Sequence, residues 1–213
     1  MKTEHLLIMR FTALGEVAML VPVVSSLAQQ YPELRITVLS NPFARPLFDG
    51  IAHNVGFMAA DLNGEYHGVK GLNALYRRLV AKNFTAIADM QSILRSSYLR
   101  MRFNISSYRV EHLDNHRQDR RKLVAAKDKC LRQLPSLFDD YIDVLARLGY
   151  NVRLDFQSLF PPTGGNLRLV SDRIGEKKMF QQWIGIAPFA AFRGKVYPAQ
   201  LTERVIAELI RRH

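Results

Sequence analysis

What most narrows the folds open to this chain is one pattern that occurs twice, a short aliphatic run ending in a turn that opens a helix. The first copy is Leu6-Leu7-Ile8-Met9 followed by Arg10-Phe11-Thr12-Ala13-Leu14-Gly15-Glu16-Val17. The second is Trp183-Ile184-Gly185-Ile186-Ala187 followed by Pro188-Phe189-Ala190-Ala191-Phe192-Arg193-Gly194-Lys195-Val196-Tyr197-Pro198. A short apolar run reads as a parallel strand buried on both faces, and a strand feeding a helix in this way aims backbone N–H groups at a ligand above its carboxyl end. Two such openings predict two α/β domains. Because the sequence stops at His213, one helix beyond the second turn, the second domain is expected to be truncated.

Between the two turns, strand-like and helix-like segments alternate, which is the signature of βαβ units. Strands are expected over 6–9, 35–39, 55–58, 84–88 and 108–110. Helices are expected over 16–31, 43–48, 72–82, 93–103 (capped by Ser92) and 136–148 (ended by Gly149). Pro22 requires the first helix either to kink or to begin near Val21. Residues 112–134 are charged and weakly periodic, a loop with a basic helix. The fold class is therefore α/β, a Rossmann-like parallel sheet with helices on both faces. Pro161-Pro162-Thr163-Gly164-Gly165 joins stiff to permissive residues and marks a hinge. The expected organisation is a first domain over 1–160, a linker and hinge over 161–182, and the start of a second domain over 183–213, with a strand at 183–187 and an amphipathic helix at 199–212.

The 48% hydrophobic content suits a chain with a real core. No run approaches the ~18–20 apolar residues of a membrane span, and the N-terminus lacks a signal-peptide pattern, so a cytoplasmic protein is expected. The single cysteine, Cys130, excludes an internal disulfide and a Cys-rich zinc site. A net charge of +11 favours anionic partners: nucleotides, phosphorylated sugars, nucleic acid or an acidic membrane face. Much of that charge lies between Arg95 and Arg132, where a solvated face is the plainer reading.

Residues just after parallel strands have the strongest claim to function. After the first strand stand Arg10, Thr12, Gly15 and Glu16. Gly15 would let a substrate approach the backbone, and Glu16 would either accept a proton from a substrate hydroxyl or serve as an acid in the first helical turn. After the fourth strand, Asp89 and Gln91 are placed to fix sugar hydroxyls, with helix capping as the alternative for Asp89. Arg193 and Lys195 lie where a diphosphate would meet the second turn. Walker, dinucleotide-binding and Gly-x-Ser-x-Gly spacings are missing. Of the six histidines only His112 and His116 have i, i+4 spacing, without the glutamate of a zinc protease motif, so no metal site is expected.

Residues 7–17 with Val21-Pro22 resemble the opening of the ADP-heptose:lipopolysaccharide heptosyltransferase family: a hydrophobic strand, Arg, small residues, Gly-Asp-Val, then a proline. Asp89-Met90-Gln91 with Leu94-Arg95-Ser96 is similar to the motif after that family's fourth strand. Gly185-Ile186-Ala187-Pro188 through Lys195-Val196-Tyr197-Pro198 is similar to its second-domain opening. The resemblance implies the N-terminal half of a GT-B fold with a truncated second Rossmann-like domain, and inverting transfer from a nucleotide sugar without an essential metal or other cofactor. By position it implies Glu16 as the base and Arg193 and Lys195 as donor-phosphate contacts. Acceptor contacts would come from Arg10, Thr12, Gly15, Asp89 and Gln91, and the basic stretch with Arg120 and Arg121 would meet a phosphorylated, lipid-linked acceptor. It further implies lipopolysaccharide biosynthesis, with peripheral association at the cytoplasmic face of an anionic inner membrane. The sequence departs from the family by placing Glu where Asp is usual, and with so little second domain the chain is expected to be inactive alone. A non-catalytic remnant that binds an anionic acceptor is the alternative within the same fold. Nucleic-acid binding is a third reading, prompted by the charge, although none of the usual binding signatures occurs.

Overall fold

A computed structural model describes residues 4–159, 167–169 and 171–212, and the expected hinge at 161–165 lies outside them. The chain divides into two compact units between Leu159 and Phe160.

The first unit is built on five parallel strands: β1 (His5–Met9), β2 (Arg35–Ser40), β3 (Val55–Ala59), β4 (Ala86–Asp89) and β5 (Arg109–His112), in the order β3-β2-β1-β4-β5. The chain builds outward from β1 to β3 and then crosses back to lay β4 on the other side of β1. The carboxyl ends of β1 and β4 therefore flank a topological switch point, where open α/β sheets form a crevice. The register places Leu6 beside Ile36 on one neighbour and Ala86 on the other.

Alternation along the strands sorts side chains into two cores. Leu6, Ile8, Ile36, Val38, Ala86 and Ala88 face α1 (Leu14–Gln30) and α5 (Leu137–Arg147), through residues such as Val17, Leu20, Val24, Tyr141, Val144 and Leu145. Leu7, Met9, Leu39 and Ile87 face α2 (Gly68–Val80) and α3 (Leu94–Ile105), through Leu72, Leu75, Leu79, Leu99 and Phe103. This is the Rossmann-like sheet, covered on both faces, that the alternation predicts. A short basic helix, α4 (Arg117–Val124), follows β5.

Several local expectations change. Helix α1 runs unbroken from Leu14 and carries Pro22 in its interior. Helix α2 begins before the expected residue 72, and its first turn crosses so close to the Tyr66 backbone that a Cβ on Gly71 would collide with it. Ser92 does not cap α3. It adopts a left-handed backbone (φ 53°) and donates from Oγ to Leu113 O at 2.6 Å, while Ser96 Oγ accepts from Ile93 N at the helix start. His112 ends a strand and His116 precedes α4, so the two are not a helical pair.

The second unit contains a 3₁₀ turn at Arg193–Lys195 and the helix α6 (Ala199–Arg212). Residues 183–187 are irregular, not the strand their apolar pattern suggested. A strand needs a neighbour for its N–H and C=O groups, and this unit supplies none among the described residues.

Near the amino end of β1, His5 is 5% exposed, with Nδ1 donating to Lys82 O (3.2 Å) and Nε2 accepting from Thr37 Oγ1 (2.9 Å). Burial, reinforced by the Arg35 charge, holds its pKa below the ordinary 6.5. The unfolded chain therefore takes up a proton before the folded one does. Stability should fall as pH drops below 6.5 and level off once the folded histidine also titrates. Urea midpoints measured between about pH 8 and about pH 4 should show this decline, and His5→Gln should flatten it.

Candidate functional site

The chain leaves β1 at Arg10 and β4 at Met90, and the two turns are stitched together across the switch point. Arg10 N donates to Leu39 O (3.1 Å) and Met90 N to Met9 O (3.0 Å), continuing the parallel ladder beyond the strands. The Gln91 side chain, 5% exposed, then acts as a clamp. Its Oε1 accepts from Phe11 N (2.8 Å), and its Nε2 donates to Thr12 O (3.1 Å) and lies 2.5 Å from Thr12 Oγ1.

Arg10 is 4% exposed, on the side of the sheet that carries α1 and α5. One terminal nitrogen donates to Met90 O and the other to Glu16 Oε2, and the guanidinium lies 5.6 Å from the Tyr141 ring centroid. Tyr141, fully buried on α5, donates its hydroxyl to the backbone oxygen of Glu16 at 2.9 Å. Burial raises that hydroxyl far above the ordinary tyrosine range, which keeps it a neutral donor. Tyr141 was not singled out in the sequence, where it reads as one more apolar position with Val144, Leu145 and Leu148.

Glu16 is the third residue of α1. The residue before the helix, Ala13, has no side-chain oxygen to cap it, and Glu16 Oε2 reaches back to accept from Ala13 N at 3.1 Å. Its side chain is 49% exposed. Both described contacts fall on Oε2, which leaves Oε1 open to an incoming hydroxyl. Gly15 beside it is exposed, and a Cβ there would meet nothing within 4 Å, so the glycine answers no packing need.

Asp89 requires a correction. Expected as a sugar contact, it is completely buried and its oxygens are taken: Oδ1 by the N–H groups of Gln91 (3.1 Å) and Ser92 (3.0 Å), Oδ2 by Ser96 Oγ (3.0 Å) and Arg100 (3.5 Å). It shapes the turn and the start of α3 from within, closer to the capping alternative. Gln91 is likewise committed to backbone, and Arg10 to Met90 and Glu16. Of the acceptor contacts expected after β1 and β4, Thr12 and Gly15 face solvent, and Arg10, Asp89 and Gln91 form the support beneath.

Other expected residues lie elsewhere. Arg120 and Arg121 are exposed on α4. Near them, Ser92, Arg100, His112, His116 and Arg117 line a groove of about 790 Å³ at the carboxyl end of β5, which sequence reasoning missed. There, burial and the Arg100 charge hold the His112 pKa below its ordinary value. Arg193 and Lys195 are exposed in the second unit, with Lys195 Nζ 5.6 Å from the Phe192 ring centroid. Among the described residues, no group of three His, Cys, Asp or Glu is placed to hold a metal ion, and no helix is long and apolar enough to cross a membrane.

No protein-family model matches the sequence, and no curated protein matches it. Among solved structures, the chain is similar to a glycosyl transferase family 9 protein from Veillonella parvula DSM 2008. The TM-score is 0.52 at 18% identity, over 74% of this chain and 47% of that one. It is also similar to the E. coli heptosyltransferase WaaC, solved with ADP and with ADP-2-deoxy-2-fluoro heptose. Each gives a TM-score of 0.50 at 14% identity, over 73% of this chain and 51% of that one. The chain thus spans about half the length of these structures. At such identities the likeness establishes a shared fold, the one that the sequence resemblance implied.

The geometry separates support from exposed surface in a way that stability can report. Asp89→Asn puts an amide NH₂ against donors and removes a buried charge facing Arg100, so it should cost about 2–4 kcal/mol in urea denaturation. Gly15→Ala, with open space for its methyl group, should change stability by less than about 1 kcal/mol.

Proposed function

We propose that the first unit is the acceptor-binding half of an inverting GT-B glycosyltransferase of the heptosyltransferase type, using a nucleotide-sugar donor and a lipopolysaccharide-like phosphorylated acceptor. The observation that carries this reading is the Glu16 carboxylate, with one oxygen held by Arg10 and Ala13 N and the other open at the switch point. A general base has to be both oriented and accessible, and Glu16 is both. The sequence resemblance and the shared fold support the same reading, and the E. coli protein in that comparison was solved with ADP and an ADP-sugar.

In this mechanism the acceptor hydroxyl gives its proton to Glu16 Oε1 as its oxygen attacks the anomeric carbon. The bond from that carbon to the diphosphate breaks on the opposite face, and the nucleoside diphosphate leaves with the electron pair. The sequence resemblance also makes Arg193 and Lys195, exposed cations of the second unit, the candidates for contact with the donor diphosphate. Thr12 and the open backbone at Gly15 border the acceptor.

The contact from Ala13 N favours a second reading, in which Glu16 only caps α1. Under that reading Asp89 is no substitute base, because it is buried and its oxygens are occupied.

The complete gene product, assayed for transfer from a panel of sugar nucleotides to phosphorylated saccharide acceptors, decides between the two. Glu16→Gln, whose amide oxygen can still accept from Arg10 and Ala13 N, should lower turnover by about 10²–10⁴-fold, measured on protein that urea denaturation shows to be folded because the change also removes the charge that faces Arg10. Parental turnover in that variant would leave Glu16 as a cap alone. Lys195→Ala should weaken nucleoside diphosphate binding by about 1.5–3 kcal/mol in calorimetry, the loss of a charged hydrogen bond, and unchanged affinity would remove Lys195 from the donor site.

A further inference from the structure

We infer that the outward face of α3 is a docking surface for an acidic amphipathic helix of a partner protein. The helix packs on the sheet through Ser96, Leu99 and Phe103, which are buried. Its far side should then be polar, and it is not. Leu94 is 87% exposed, Met101 47% and Ile105 74%, with the half-buried Tyr98 between them. Scattered exposed aliphatics need no explanation, but these four side chains stand in line.

They are spaced four, three and four residues apart. That is the d-a-d-a order of a heptad repeat, and at 3.6 residues per turn it confines them to a strip about 60° wide. A broad apolar face suits a core or a lipid surface, whereas a strip this narrow is the seam of a helix pair.

In the same repeat Arg95 and Arg102 fall at the two e positions, which flank such a seam and set partner choice. Both are held in place by neutral groups. Arg95 Nη1 donates to Leu62 O (3.1 Å) and Asn63 Oδ1 (2.7 Å), and Arg102 Nη1 donates to Asn73 Oδ1 (2.8 Å). Neither α2 nor α3 contains an acidic residue, and the one carboxylate between Gly68 and Ser107 is the buried Asp89. An antiparallel pair of α3 helices from two copies of the chain would therefore set arginine against arginine. A parallel pair would set the arginines against Ser97 and Asn104, the g positions, which carry no charge. The occupant that complements this face has aliphatic side chains in its own seam and carboxylates beside it. The docking uses no residue of the Glu16 turn and does not rest on the transfer reading.

The probe is a fluorophore-labelled synthetic peptide of three heptads, with leucine at a and d and glutamate at e and g, whose like charges oppose its pairing with itself. Titrated with the 213-residue chain, it should bind saturably by fluorescence anisotropy. The same peptide with lysine at e and g should bind at least about tenfold more weakly. Met101→Asp, at an exposed position, should weaken binding of the glutamate peptide at least about tenfold. Arg95→Glu with Arg102→Glu should reverse the preference, so that the lysine peptide binds more tightly than the glutamate peptide. Arg45→Glu with Arg153→Glu makes the same change in net charge on the side of the sheet that carries α1, and should alter binding by less than about twofold. Far-UV circular dichroism should be unchanged in every variant.

No saturable binding of the glutamate peptide would overturn the inference, as would equal affinity for the two peptides or the same loss from both charge-reversal pairs. So would a dimer of the chain in light scattering that Met101→Asp dissolves, or adsorption to phosphatidylglycerol vesicles that Met101→Asp abolishes, because either gives the face to another occupant.

Discussion

The buried guanidinium of Arg10 is the constraint on which the carboxyl end of this sheet depends. Arginine stays charged in a protein, so burial at 4% exposure obliges the surroundings to supply acceptors. One comes from the chain leaving β4 (Met90 O) and one from the first turn of α1 (Glu16), while the Tyr141 ring on α5 presents a face to the cation. Four elements are fixed by a single side chain, and its Nε is left with no protein partner. A carboxylate at the start of α1 would, without Arg10, keep only the N–H of Ala13 to orient it.

The site has two layers that differ in their chemistry. Beneath, Asp89 Oδ1 and the Gln91 amide pair with backbone N–H and C=O groups that the two turns would otherwise leave unpaired, the accounting that any buried turn must meet, while Asp89 Oδ2 is held by Ser96 and Arg100. Above, Thr12, Gly15 and one oxygen of Glu16 face outward. Such a division is what preorganisation requires: the outward groups are held in place before any ligand arrives, so binding need not order them.

The parts of this structure that were legible in the sequence are those set by local pattern. The aliphatic run at 6–9 announced a strand buried on both faces, Arg35–Leu39 a second strand, and the spacing of Val17, Leu20, Val21 and Val24 a helix. Position after a strand singled out Arg10, Glu16, Asp89 and Gln91. Sequence could not say which way each would turn, because that depends on partners far along the chain. Asp89 looks inward because Ser96 and Arg100 of α3 supply donors there. The run at 183–187 has a strand's composition and, among the described residues, lacks a strand's neighbour. Tyr141 escaped notice because its spacing is that of the core, and its hydroxyl acquires a role only when α5 crosses the start of α1.

Those same distances along the chain govern the order in which the protein can assemble as it is synthesised. The bonds from Arg10 to Met90 and from Phe11 to Gln91 each join residues 80 apart, and that from Tyr141 to Glu16 joins residues 125 apart. When β1 emerges from the ribosome, its partner on the β4 side does not yet exist, and the tyrosine that secures the turn is later still. Long loops must close before these contacts reward it, which slows their formation and leaves hydrophobic strand edges open in the meantime. The carboxyl end of β1 is thus among the last parts of the first unit to become fully ordered, and the nascent chain must keep β1 from other partners until most of that unit has been made.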